Sequence, residues 1–227
     1  MTGKFLAIFA INCFISTGAN ALIIESLNID FLPEREVVFQ PIKNDTSERQ
    51  NYTVSLIQVD VPKEKGKETE IKDGEVMYSP KQLTLGSGER AGFKFYYTGP
   101  HDNKERYYRV KFTETPLQAK VITRKGQRIQ SDVVVSLEAI LIVRPWTRHF
   151  DYAFSNGVVS NTGNTYFKYV SSVGCSTQYN NSKYIPPGQR LEIDNAGQAA
   201  RRMIIYGNKI IPLTTCPLQP LSFIKGN

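Results

Sequence analysis

The stretch IQSDVVVSLEAILIVRP, residues 129–145, decides the fold class of this chain. Every second residue from Ile129 belongs to an almost wholly apolar set, and the residues between them are mostly polar in the first half. This alternation is typical of a β-strand that buries one face. At ~3.3 Å per residue the strand would be roughly 50 Å long, whereas ordinary strands have about 5–6 residues. The extra length needs a functional explanation.

The rest of the chain favours an all-β fold. Short β-type runs alternate with turn residues, no amphipathic helix of convincing length is present, and Asn156-Gly157 predicts a hairpin. The long strand must end at Arg144-Pro145, because proline cannot donate to a β ladder. We expect one sandwich over residues 22–144, which includes the long strand at about 129–143, and a smaller sandwich over residues 145–227.

Residues 1–21 have the features of a secretory signal peptide. Lys4 precedes an apolar run, and Ala19-Asn20-Ala21 fits the small-residue pattern of a cleavage site. A lipoprotein signal that ends at Cys13 is disfavoured by Asn12, which stands where a small residue is required. The apolar run is too short to span a bilayer. We expect export, cleavage near Ala21, a periplasmic location and no membrane insertion.

Charge and cysteines narrow the possible functions. The formal net charge is +7, but an exported protein seldom meets nucleic acid, so we expect no nucleic-acid partner. Cys13 belongs to the leader, and Cys175 with Cys216 favours one disulfide that stabilises the chain by ~3–4 kcal/mol. A metal or redox pair would be the alternative, but no CxxC spacing or neighbouring histidine supports it. We expect no cofactor and no metal.

Catalytic motifs are absent from the sequence. The two histidines, His101 and His149, lie far apart, and no nucleophile elbow, zinc motif or phosphate-binding loop occurs. We therefore expect a protein that is not an enzyme, although a catalytic pair of carboxylates would need no motif.

Four segments stand in an order that covers nearly all of the chain after residue 21. They are YSPKQLTLGSGERAGFKFYYTGP (78–100), DNKERYYRVKFTETP (102–116), SNGVVSNTGNTYFKY (155–169) and IPPGQRLEI (185–193). Together with the long strand and Arg144-Pro145, they resemble the periplasmic chaperones of chaperone–usher pilus assembly, the PapD-like superfamily. GPHDNKERYYRV and SNTGN fit best the alternative class, which serves common-pilus and colonisation-factor fimbriae.

The resemblance implies two immunoglobulin-like β-sandwiches joined in a boomerang with a cleft between them. It also implies that the long strand is lent to a pilus subunit that lacks its own last strand, before delivery to an outer-membrane usher. An exposed apolar edge is otherwise a liability. We expect Val133, Val135 and Leu137 to enter the subunit, with Ile129 as a fourth contact. A self-dimer through this strand is possible in principle, and a core strand covered on both sides is the alternative.

One departure from the family concerns the anchor for the subunit's C-terminal carboxylate. The family's best-known class uses an arginine and a lysine, but Asn28 and Ile140 stand near their places in this chain. Because a guanidinium suits bidentate carboxylate binding, Arg109 is the candidate substitute, with Lys111 on the same side. The alternative is that Arg109 pairs with an acidic residue of its own chain.

The resemblance also implies an ion pair at the joint between the domains. Glu105 and Arg144 match its positions, and Ile205 lies near the place of an aspartate that often joins them. We expect the pair to be structural and to contribute ~1 kcal/mol if it is partly exposed. Some family members have a disulfide in the second sandwich, where Cys175 and Cys216 lie.

Two other functions remain open at this point. A pilus subunit or tip adhesin would also be β-rich and exported, but it should carry a donor segment directly after the leader, and LIIESLNIDFLP (22–33) is short for that purpose. A secreted carbohydrate-binding or hydrolytic β-sandwich would need aromatic and acidic residues clustered on one face.

Overall fold

The computed structural model describes residues 22–63, 66–72, 74–118, 120–124, 127–131, 133–193 and 200–214. These residues form strands, turns and irregular segments, and none of them lies in a helix. Accordingly, the described part of the chain contains no helix that could cross a membrane. The predicted all-β fold class is confirmed.

The first sandwich consists of two facing sheets, and its strands are numbered in chain order. Sheet I contains, in spatial order, β1 (Leu22–Ile24), β3 (Val37–Asn44), β8 (Arg90–Tyr97) and β6 (Val76–Ser79). Sheet II contains, in spatial order, β2 (Asn28–Phe31), β12 (Val135–Val143), β9 (Arg106–Pro116), β4 (Gln50–Val59) and β5 (Glu68–Thr69), and β7 (Gln82–Leu85) also pairs with β4. Alternate side chains of both sheets meet in a core rich in aromatic residues, which include Tyr52, Phe93, Phe95, Tyr108 and Phe112.

The second sandwich is smaller. Sheet III contains β13 (Tyr152–Ser155), β14 (Val158–Asn161) and β17 (Arg190–Glu192). Sheet IV contains, in spatial order, β16 (Asn181–Ile185), β15 (Phe167–Ser171), β18 (Arg202–Tyr206) and β19 (Lys209–Thr214). The predicted hairpin at Asn156-Gly157 joins β13 to β14, and both of its residues have the positive φ that such a turn requires.

The first strand of the chain changes sheets. β1 pairs with β3 in sheet I, whereas β2 runs parallel to β12 in sheet II. Asn28 lies opposite Ile140, and Phe31 lies opposite Val143. This pairing covers only the last four residues of β12.

The expected single strand over residues 129–143 is divided in the structure. β12 begins at Val135, while β11 (Gln127–Ser131) forms a separate hairpin with β10 (Lys120–Arg124). In the register of Val135 opposite Glu114, β9 ends opposite Val133, so it has no strand residues opposite 127–131. Within this chain, the backbone of β11 therefore pairs with β10.

Candidate functional site

The first half of β12 has an open edge. β9 pairs with all of β12, from Val135 opposite Glu114 to Val143 opposite Arg106. On the other side β2 pairs only with residues 140–143, and no strand in the described part of the chain covers residues 135–139. The outward backbone groups of this segment can therefore pair with another chain.

The apolar face of β12 emerges from the core toward this open end. Leu141 and Ala139 are fully buried, and Leu137 is partly buried against the same core. Val135 is half-buried, and Val133, which precedes the strand, is 70% exposed. The segment thus presents apolar side chains beyond the edge of its own sandwich.

The residues predicted to enter a partner lie in three different environments. Val133 and Val135 are accessible at the open end, and the neighbouring Val134, which the sequence analysis left out, is exposed as well. Leu137 instead packs against the core of its own domain. Ile129 lies in β11, and its backbone is opposite Ile122 in the hairpin.

Arg109 and Lys111 lie on the outer face of sheet II, since the residues between and beside them on β9 point into the core. Arg109 is directly opposite Ile140, which is itself opposite Asn28. The three residues thus form one row across the sheet. Lys111 is exposed, lies two residues after Arg109 on β9, and is opposite Glu138 of β12.

The guanidinium of Arg109 is already engaged by this chain. It donates to Glu68 Oε1, and its Nη2 donates to the carbonyl oxygen of Lys63 at 3.2 Å. Its Nε also lies 3.4 Å from Glu138 Oε2. The residue is only 8% exposed. A partner carboxylate would have to compete with two internal carboxylates for this arginine.

Glu105 connects the two sandwiches. Arg144 Nη1 donates to Glu105 Oε2 at 2.8 Å, and Thr165 Oγ1 donates to the same oxygen at 2.6 Å. The backbone nitrogen of Tyr166 and the hydroxyl of Tyr107 donate to Oε1 at 2.8 and 2.5 Å. The Glu105 side chain is 0% exposed. The pair that the sequence indicated is therefore buried, so the value of ~1 kcal/mol for a partly exposed pair does not apply to it.

Asp30 is a member of this cluster that the sequence analysis missed. Arg144 Nε donates to Asp30 Oδ1 at 2.8 Å, and Nη2 lies 2.6 Å from the same oxygen. The resemblance to the family indicates Ile205, rather than Asp30, at the place of the aspartate that often joins this pair. Asp30 comes from β2, and its one signal in the sequence is that it is an acidic residue in the otherwise uncharged strand NIDF.

The environment of the joint favours the charged form of Arg144 and the neutral form of Tyr107. Burial disfavours the charged form of Arg144, but the nearby Glu105 and Asp30 outweigh it and raise the pKa of Arg144 above its ordinary value. Burial, and then Glu105, raise the pKa of Tyr107. The guanidinium also lies over the Tyr166 ring, 4.9 Å from its centre. Arg144 therefore stays positively charged, and Tyr107 stays neutral, at physiological pH.

A cavity of about 500 Å³ lies between the sandwiches. Asp30 and its partner Arg144 line the cavity, and three further basic residues, Arg148, Lys168 and Lys209, also line it. Lys168 Nζ lies 5.6 Å from the centre of the Tyr184 ring. In the described part of the chain, no carboxylate forms an ion pair with these three basic residues. The cavity can therefore attract an anionic group.

The remaining sequence predictions are only partly covered by the structure. Cys175 is disulfide-bonded, but Cys216 lies outside the described residues, as does the leader at residues 1–21. The pairing of Cys175 with Cys216 therefore stays a prediction. The described residues include no group of three or more histidine, cysteine or acidic side chains that could hold a metal ion.

Sequence comparison identifies relatives among the fimbrial chaperones. The profile of the EcpB C-terminal domain matches residues 150–212. The protein named "Probable fimbrial chaperone EcpE" from Escherichia coli O127:H6 (strain E2348/69 / EPEC) is 32% identical over 225 residues. That alignment covers 95% of this chain and 94% of the relative.

Structural comparison identifies the same architecture in solved chaperones. The class 5 fimbriae chaperone CfaA matches with a TM-score of 0.59 at 14% identity, over 87% of this chain and 100% of the other. A match in the complex of Salmonella enterica SafA pilin with the SafB chaperone also has a TM-score of 0.59 at 14% identity, over 84% and 92%. At these identities the likeness is one of fold, and it agrees with the predicted pair of sandwiches.

Proposed function

Because this chain belongs to the fimbrial chaperones of the chaperone–usher pathway, we propose that it binds fimbrial subunits and completes their fold with the open end of β12. It would hold each subunit in this form and deliver it to an outer-membrane usher. One of its structural neighbours, SafB, is bound to a pilin.

The observation that carries this proposal is the open edge of β12 over residues 135–139. The outward N–H and C=O groups on an unpaired edge can form hydrogen bonds with the backbone of a subunit strand. The adjoining Val133 and Val135 can enter an apolar groove of the subunit, and complete burial of one valine contributes about 1.5–3 kcal/mol. We assign these two residues the main contacts, and Leu137 a smaller one, since it already packs against its own core.

A contact from Ile129 requires a further step. β11 would have to leave β10 and continue in the line of β12, because the hairpin occupies the backbone groups of Ile129. A subunit strand that pairs with residues 127–131 could compensate for the lost hairpin. Ile129 is therefore a contact that forms only when the hairpin opens.

Co-expression with a cognate pilin in the periplasm tests the proposal. Val135→Asp places a charge on the apolar face, and we expect the pilin to be degraded rather than to copurify with the tagged variant. Ser136→Asp is the matched control, since Ser136 is exposed on the opposite face of the strand, and it should retain the pilin. Equal pilin recovery with both variants would overturn the donor-strand function.

The anchor for the subunit's C-terminal carboxylate has two candidates. Arg109, with Lys111 beside it, is supported by its place in the row that contains Asn28 and Ile140. It could bind a subunit only by exchanging Glu68 or Glu138 for the new carboxylate. The basic side of the cavity, represented by Lys168, is supported because no carboxylate among the described residues forms an ion pair with Arg148, Lys168 or Lys209.

Location and domain organisation belong to the same proposal. Residues 1–21 would direct export and be removed, leaving a periplasmic protein with domains at 22–144 and 145–227. Burial of apolar surface and completion of a backbone ladder supply the binding energy. The proposed activity therefore requires neither a catalytic residue nor a cofactor.

A further inference from the structure

A pocket of about 240 Å³ lies within the second sandwich, between sheet IV and the β17 strand of sheet III. Tyr166, which bonds to Glu105 at the joint, directly precedes β15, whereas the last residues of the same strand line the pocket. The pocket therefore lies at the end of the second sandwich that faces away from the joint. This distal pocket is lined, among others, by Tyr169, Ser171, Asn181, Lys183, Leu191 and Glu192.

Within the described part of the chain, the buried hydroxyl of Tyr169 has no hydrogen-bond partner. The residue is 1% exposed and belongs to the core cluster that also contains Phe167 and Ile204. A buried hydroxyl without a partner is unfavourable, and native proteins seldom leave one. Because Tyr169 lines the distal pocket, a polar molecule bound there can supply the missing partner.

The other polar groups of the distal pocket supply both hydrogen-bond donors and acceptors. Asn181 of β16 lies opposite Ser171 of β15. Two residues further along β16, Lys183 lies opposite Tyr169. Asn180 lines the pocket beside Asn181, and each of these amides can donate and accept. The lining is therefore suited to hydroxyl groups, which also donate and accept.

The charges at the distal pocket favour a neutral ligand. Lys183 brings a positive charge to the lining, and Glu192 brings a negative one. Arg202, which also lines the pocket, already has an interaction within the protein. A small anion would be repelled by the Glu192 carboxylate, and a small cation would be repelled by Lys183. A neutral molecule avoids both repulsions.

One wall of the distal pocket is apolar. Leu191 and Ile193 line it, and both pack against the core of the second sandwich. A sugar ring matches this combination of walls, since hydroxyl groups project from its rim and C–H groups cover its faces. Ligands of drug size occupy pockets of about 300–1,000 Å³. The smaller distal pocket therefore suits one sugar ring rather than an oligosaccharide.

We propose that the distal pocket binds one neutral monosaccharide unit. Its hydroxyl groups pair with Tyr169, Asn180 and Asn181, and one C–H face packs on Leu191 and Ile193. A free sugar and the terminal residue of a glycan present the same groups. The inference does not rest on the donor-strand function, because the distal pocket and the open edge of β12 lie in different sandwiches.

Titration of the purified protein with three sugars tests the inference. D-Glucose, D-galactose and N-acetyl-D-glucosamine are each added to nitrogen-15-labelled protein, and the amide chemical shifts give the Kd. We expect at least one sugar to bind with a Kd of about 1 mM, which corresponds to a weak but measurable complex. Sodium acetate at the same concentrations should leave the amides of the distal pocket unshifted.

Tyr169→Phe removes only the unpaired hydroxyl. It should weaken sugar binding about fivefold or more, while the urea midpoint stays the same or rises, because the lost group makes no hydrogen bond in the free protein. Asn181→Ala, at an exposed side chain, should weaken binding as well. Tyr152→Phe is the matched control and should bind normally, since Tyr152 packs against the same core but does not line the distal pocket.

The methyl glycoside of the sugar that binds separates the two sources. Equal affinity identifies the terminal residue of a glycan, and lost affinity identifies a free sugar whose anomeric hydroxyl is contacted. The inference is wrong if none of the three sugars shifts the amides of the distal pocket. It is also wrong if Tyr169→Phe and Asn181→Ala both keep the affinity of the parent protein.

Discussion

Arg144 Nη1 lies 2.8 Å from Glu105 Oε2, at the point where the last strand of the first sandwich ends. The carboxylate is 0% exposed and also accepts hydrogen bonds from Thr165 and from the backbone of Tyr166, both in the second sandwich. Glu105, which directly precedes β9, therefore bonds both to Arg144 at the end of β12 and to the second domain. This carboxylate therefore contributes to holding the two domains together, beside the hydrogen bonds that Asn103 makes to Thr147 and Asn164.

Glu105→Ala should therefore be strongly destabilising. Removal of one partner leaves the Arg144 charge buried with only the half-exposed Asp30, and such a loss amounts to ~3–5 kcal/mol. Urea unfolding at neutral pH measures the effect. Glu36→Ala, which removes an exposed carboxylate, is the control and should change stability by less than ~0.5 kcal/mol. A loss below ~1 kcal/mol at Glu105 would mean that the joint behaves as a surface pair.

Stability should fall in acid partly through Asp102. Hydrogen bonds from the Arg106 guanidinium, which donates at 2.7 and 2.8 Å, hold the pKa of Asp102 well below its ordinary value. Because the folded pKa is lower than the unfolded one, this contribution is present above about pH 4 and is lost as the pH falls through the folded pKa. Asp102→Asn should flatten the dependence of the urea midpoint on pH below pH 4. An unchanged slope in the variant would contradict this assignment.

The two candidate anchors can be separated by binding measurements. If the cavity holds the subunit's terminal carboxylate, Lys168→Ala should weaken subunit binding about tenfold or more, and Arg109→Ala should weaken it less. The reverse order would assign the anchor to Arg109. Lys94→Ala, on the exposed outer face of sheet I, is the control and should bind normally. A subunit with an amidated C-terminus should lose the sensitivity to whichever residue forms the anchor.

The core of the first sandwich depends on a cluster of aromatic side chains. Phe112 is fully buried and packs its ring against Phe93 and Phe95, with centroid distances of 5.9 and 6.5 Å. Phe112→Ala should destabilise the protein by ~3–5 kcal/mol through lost contacts and the cavity left behind. Chemical unfolding followed by tyrosine and tryptophan fluorescence measures this loss. Phe39→Ala, at an exposed ring on sheet I, should have a much smaller effect.

Local patterns in the sequence were sufficient for the strands and turns. The Asn156-Gly157 hairpin and the end of the strand at Arg144-Pro145 depend on residues adjacent in the chain, so they could be predicted without tertiary information. The alternation correctly indicated a strand with one more buried face over residues 135–143, but the single strand expected over 129–143 is divided. It could not reveal that β12 begins only at Val135 while residues 127–131 form a separate hairpin with β10.

Partners of the charged residues were harder to predict. Asp30 lies beside Arg144 because the chain leaves sheet I after β1 and β2 then pairs in parallel with β12. The two residues are 114 positions apart in the chain. Glu68 reaches Arg109 because the short β5 strand returns along β4. Neither pairing has a local signature, since exposed acidic residues are common throughout the chain.

The sequence by itself determined the all-β class, the two sandwiches, the position of the joint and the resemblance to fimbrial chaperones, because these follow from residue spacing along the chain. Only the tertiary structure decided which edge of β12 stays open, that Arg109 is already paired, and that Asp30 joins Arg144 at the joint. The physical reason is that an open edge, an ion pair and a buried charge are defined by what lies beside them in space. Their neighbours come from distant segments brought together when the two sheets pack.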